Sequence, residues 1–187
     1  CRLDDVQHAL DQLPKRDRPE PIWVLPRYEE VLNRIDGMIR EAQVSVWLSL
    51  WPRELDRLRP ALLAVADRRL HRVLHCPVHV DDPPAGFSFW AGEAGQAGSK
   101  ASWVHKALVV VDRREALIGG TEVDADNHAV WTTNPSLVDM ATNNVVLDIT
   151  LMAHTLKRDC DDIVSHMMRP HQLSAGPPAA HWSGGSR

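Results

Sequence analysis

From Ile22 to Val80 the apolar residues keep changing their period, and this alternation limits the folds open to the chain. Ile22 to Leu25 is a short apolar run of strand type. Val31, Leu32, Ile35, Met38, Ile39 and Ala42 then recur at helical spacing. Val44 to Leu50, VSVWLSL, reads as a strand. Pro52 opens a second helix, with Leu55, Leu58, Leu62, Val65 and Ala66 on one face. Arg72 to Val80, RVLHCPVHV, reads as the next strand. Strand–helix–strand–helix–strand implies parallel pairing, with the helices covering a sheet. The predicted class is therefore α/β, with a mixed, mostly parallel sheet and helices on both faces.

The rhythm breaks between Asp81 and Ser102. This stretch holds four glycines and few apolar residues besides Phe87, Phe89 and Trp90. It predicts a long loop of the kind that covers a site. Trp103 to Val111 is an apolar strand, Asp112-Arg113-Arg114 a turn, and Glu115 to Ile118 a further strand leading to Gly119-Gly120. His128 to Thr133 is another strand. Asn134-Pro135 is a helix start, Asn as cap and Pro in the first turn. Apolar residues from Leu137 to Met167 then recur every three or four positions. They predict one long helix to about Met168, or two broken near Asn143-Asn144. The tail from His171 is rich in Pro, Gly, Ser and Ala and is predicted to be disordered.

Before Ile22, Leu3, Val6, Leu10 and Leu13 have the 3-4-3 spacing of a coiled-coil seam. So short a helix is unstable alone in water. It reads as a dimer contact or the end of a longer helix, followed by a proline-rich linker. The expected organisation is residues 1–21 for that helix end and linker, 22–170 for one folded domain, and 171–187 for the tail.

Composition narrows the function classes. The 187 residues carry a net charge of −4, against the basic balance expected of a nucleic-acid-binding chain. No apolar run is long enough to span a membrane, and no signal-peptide pattern opens the chain. Three cysteines, Cys1, Cys76 and Cys160, have no paired spacing. A reducing, cytoplasmic setting follows as the expectation. Seven tryptophans against two phenylalanines and one tyrosine favour rings that pack a core or a ligand. His71, His75 and His79 are evenly spaced beside Cys76, but along a strand their rings spread too far for one ion, so no metal and no cofactor are expected.

The stretch Trp103 to Thr121, WVHKALVVVDRREALIGGT, carries the most information. His105 and Asp112 are seven apart, and Gly119-Gly120 begins seven further on. This resembles half of the phospholipase D superfamily motif: His, Lys two later, Asp five beyond, then Gly-Ser-x-Asn. In that family His attacks the phosphodiester, while Lys and Asn grip the phosphate. Here Ala107 stands at the Lys position, Gly120 at the Ser position and Glu122 at the Asn position. Lys106 is one residue early, a shift that on a strand turns the side chain to the opposite face. The frame is kept and the catalytic groups are lost, so no enzyme is expected.

The order of all these elements, with VSVWLSLWPREL, LVVVDRREALIGG and AVWTTNPSLV in sequence, is similar to the effector-binding domain of TrmB-family transcriptional regulators over about Ile22 to Thr155. The resemblance implies a phospholipase D-like fold without catalysis. It also implies a bacterial or archaeal homodimer, a small effector such as a sugar, and DNA contact through a winged helix lying before Cys1, with the Leu3–Leu13 helix between them.

Ligands in open α/β sheets sit at the carboxyl ends of parallel strands. That rule selects Ser49, Trp51 and His75, with His105, Trp131 and Asn134 as additions and Trp90 on the covering loop. Each has a plainer use: the tryptophans as core, Asn134 as a helix cap. Two other functions stay open. One is a phosphodiesterase or nuclease formed by two His105 residues across a dimer. The other is a dimerisation module whose pocket is filled by its own tryptophans.

Overall fold

The computed structural model describes residues 22–92, 106–120 and 128–169. They form seven strands and four helices: β1 (Ile22–Leu25), α1 (Tyr28–Glu41), β2 (Ser45–Ser49), α2 (Pro52–Ala64), β3 (His71–Cys76), β4 (Ser88–Ala91), β5 (Lys106–Val111), β6 (Glu115–Gly120), β7 (Ala129–Thr132), α3 (Pro135–Leu156) and α4 (Asp161–Met168). The strands make one sheet in the order β1-β7-β6-β5-β2-β3-β4.

The α/β class and the mixed sheet are as the alternation predicts. The expected predominance of parallel pairing is not found. Only β2–β3 and β3–β4 run parallel; β1–β7, β7–β6, β6–β5 and β5–β2 are antiparallel. The reason lies in the connections. A helix separates β2 from β3 and permits a parallel crossover, whereas the short Asp112–Arg114 turn can join only antiparallel neighbours.

Strand alternation divides the interior in two. Val46, Leu48, Leu74, Val109 and Leu117 pack against α1 and α2 on one face. Trp47, Val73, Leu108, Val110 and Ala116 pack against Val138, Val145, Ile149 and Met152 of α3 on the other. Asn134 caps α3, its side chain accepting from the Leu137 N–H at 3.1 Å. α3 runs unbroken through Asn143-Asn144 and stops at Lys157, which is left-handed at φ 51°. The helical stretch is thus neither continuous to Met168 nor broken near Asn143-Asn144: it divides at Lys157, about fourteen residues later, at a lysine rather than a glycine.

The stretch expected to be one long loop contains a strand. β4 pairs in parallel with β3 and places Trp90 opposite His75. Trp90 is fully buried, with Arg158 over its ring at 4.1 Å. It is a core residue and not part of a cover.

Asp112 has a local purpose. Its carboxylate accepts from the backbone N–H groups of Gln43, Val44 and Ser45 at 2.7–3.2 Å, tying the start of β2 to the β5–β6 turn. Three amide donors suit a buried carboxylate.

Candidate functional site

The register of the parallel pair β2–β3 sets Ser49 beside His75. Both are the last or next-to-last residues of their strands, and both side chains point toward α3. Ser49 is 8% exposed and His75 5%. From α3, Asp148 reaches down between them. The Ser49 hydroxyl donates to Asp148 Oδ2 at 2.9 Å and lies 2.9 Å from His75 Nδ1. A hydroxyl has one proton; given to Asp148, it leaves Oγ as the acceptor and fixes a proton on His75 Nδ1. His75 Nδ1 also stands 3.7 Å from Asp148 Oδ2.

This order of contacts matters chemically. A hydrolytic triad puts the base on the serine proton and the acid on the other nitrogen of the base. Here the acid takes the serine proton, and the histidine presents a donor to the serine. The arrangement holds a hydroxyl in place and offers no withdrawal of its proton by the imidazole.

The three residues form the floor of a cleft of about 300 Å³. Trp51, which precedes the first turn of α2, and Pro77, just after β3, make one wall. Lys106 and Leu108 from β5 line the opposite side. Asn144, one turn before Asp148 on α3, completes the rim. A second cavity of about 220 Å³ shares His75, Pro77 and Asp148 and continues along α3 past Leu151, Met152 and Thr155.

Of the residues singled out in the sequence, Ser49, Trp51 and His75 meet at this cleft. The others do not. Trp90 is in the core. Trp131 faces the other side of the sheet, stacked on Trp23 at 3.8 Å and beneath the Arg34 guanidinium at 3.5 Å, with its Nε1 donating to Glu115 at 2.7 Å. Asn134 is engaged in capping, away from the cleft. His105 and the Leu3, Val6, Leu10 and Leu13 seam lie outside the described residues. The one-residue offset does turn Lys106 to the face opposite Ala107: Ala107 packs on the α1 and α2 side, while Lys106 lines the cleft on the α3 side with Leu108, two residues on.

Sequence reasoning missed Lys106, Asn144 and Asp148. A signal existed for the last two, which stand four apart and so share a helix face. The evenly spaced histidines each have separate partners: His71 stacks on His166, His75 meets Ser49, and His79 meets Asp81. Among the described residues no cluster could hold a metal ion. No helix among them is long and apolar enough to cross a membrane.

Comparison with known proteins follows the same lines. The chain is similar in structure to TrmBL2, an archaeal chromatin protein whose structure shows a novel mode of DNA binding. The TM-score is 0.51 at 12% identity, over 77% of this chain and 57% of that one. This chain therefore spans little more than half of that relative. It is also similar to NucT from Helicobacter pylori, with a TM-score of 0.50 at 15% identity, over 70% of this chain and 95% of that one. The shared fold is the phospholipase D-like α/β architecture. No curated protein matches the chain. The family described as "Transcriptional regulator TrmB, EBD N-terminal subdomain" matches residues 21–144, well over half of the sequence. The chain belongs to the TrmB family of transcriptional regulators.

Proposed function

We propose that residues 22–170 are the effector-sensing domain of a TrmB-like regulator, with the effector bound in the cleft above Ser49, His75 and Asp148. The observation that carries this reading is that β2, β3 and α3 each contribute one member of a single hydrogen-bonded group at the cleft floor. A ligand hydroxyl or amine competing for Asp148 acts on the sheet and on α3 together. If it binds one arrangement of the two better than the other, it shifts their populations. In this reading the protein works as a cytoplasmic homodimer through Leu3, Val6, Leu10 and Leu13. DNA contact falls to the winged helix that the family carries ahead of this region.

The same reading leaves out catalysis. The hydroxyl is directed at a carboxylate, and Ala107 and Glu122 occupy the positions of the phosphate-gripping groups. Generic phosphodiester hydrolysis abolished by His105→Ala would overturn it.

The test is a thermal-shift screen against sugars, sugar phosphates, nucleotides, amino acids and small aromatic metabolites. A ligand at 100 times its Kd adds about 2.7 kcal/mol to a folded state that alone binds it. A hit lost in Ser49→Ala supports the sensor. A blank across every class favours a dimerisation module.

A further inference from the structure

The cleft carries two opposite charges, and they stand in different situations. Asp148 is tied to Ser49, with a side chain only 20% exposed. Lys106 is exposed at the rim and has no hydrogen-bond or ion-pair partner among the described residues. Beside Asp148 is the second cavity, where Leu151 and Met152 supply apolar wall and His154 and Thr155 complete the lining. Its volume of about 220 Å³ is several times the ~30 Å³ share of one water molecule. The site therefore presents a cation and an anion at one cleft, and beside it a largely apolar cavity that shares His75, Pro77 and Asp148 with it.

We infer that the cleft recognises an apolar α-amino acid, its carboxylate at Lys106, its ammonium at Asp148, and its side chain against Leu151 and Met152. This rests on the sensor reading above and names its ligand class. A neutral polyol leaves Lys106 unmatched and gains nothing from the apolar cavity. A simple carboxylic acid meets the charge of Asp148, and a simple amine meets that of Lys106. The zwitterion answers both, and a site with buried or rim charges rejects an analogue lacking the counter-charge more sharply than apolar contacts reject a misfit. His75 and Ser49 hold the Asp148 carboxylate in place beneath the ammonium.

Calorimetric titration of the purified chain with L-leucine and L-methionine tests this, with 4-methylvalerate, isopentylamine, glycine and maltose as comparisons. Leucine and methionine are expected to bind. Loss of either charged group, or of the side chain in glycine, is expected to weaken binding at least tenfold. Lys106→Met is expected to weaken leucine at least tenfold and to tighten isopentylamine, which then no longer meets a like charge. Lys106 is exposed, so this variant tests recognition without risk to the fold.

Equal binding of leucine and 4-methylvalerate overturns the inference. So does leucine binding that ignores Lys106→Met. Binding of maltose without leucine also overturns it, but leaves the sensor reading standing. Failure of all of these ligands, together with a blank thermal-shift screen, removes both.

Discussion

At the scale of single residues, two side chains carry more than their position in the sequence suggests. Asp112 is the acidic member of the phospholipase D-like frame, yet it stands at the opposite end of β5 from Lys106 and the cleft. Its three amide contacts account for its presence without any catalysis. Asp112→Ala should cost roughly 3 kcal/mol in urea denaturation, because three amides lose a charged acceptor. Asp112→Asn should cost less, since it keeps one oxygen and tolerates the φ of 53°. His71 is the second case. Its Nδ1 accepts from Trp47 Nε1 at 2.8 Å, and its ring stacks on His166 at 3.8 Å. Burial, and then the neighbouring His166, lower its pKa from 6.5 to about 4. Between those values the unfolded chain binds the proton and the folded chain does not, so stability rises with pH across that window. The contribution is complete above about pH 6.5 and is lost as pH falls toward about 4. Urea midpoints at pH 7.5 and pH 5 should differ in wild type and converge in His71→Phe. Ser49, Trp51 and His75 were legible because a rule about strand ends reaches them without knowledge of any contact. Trp131 was misplaced because the face it takes depends on the register of β7, and no sequence feature sets that register.

At the scale of elements, the missed features share a cause: local chemistry overridden by packing, or hidden by composition. α3 leaves Met140, Leu147 and Leu151 exposed while burying Val145, Ile149 and Met152. Apolar on nearly every side, it does not announce which face meets the sheet, so Asn144 and Asp148 stay hidden. β4 lies in a stretch where prolines and glycines argue for a loop. Pairing with β3 decides the matter, since Trp90 buries fully there. The end of α3 escaped because its left-handed residue is Lys157, where glycine is the usual sign. That placement also yields a prediction. A non-glycine residue at φ 51° is strained, so Lys157→Gly should raise stability by about 1 kcal/mol, read as a higher Tm. A fall in Tm would mean that the lysine side chain does more than end the helix.

At the scale of the whole molecule, one sheet serves both apolar clusters. β2, β3, β5 and β6 each send alternate residues to α1 and α2 on one side and to α3 on the other. Neither cluster can dissolve without removing half the environment of the strands that bound the other. Far-UV circular dichroism and tryptophan fluorescence should therefore trace the same urea transition. Two separated transitions would show that α3 and α4 leave first. The length of α3 has a mechanical consequence as well. Its 22 residues extend about 33 Å, and Asp148 lies about 20 Å from its first residue. The helix is in effect a stiff rod pinned off-centre at the cleft. A swing of about 5° around that pin would carry Pro135 by about 2 Å, a distance larger than any hydrogen bond tolerates. The long arm of this lever ends at the Asn134 cap, beside β7, so the edge of the sheet farthest from the cleft is where occupancy would be most loudly felt.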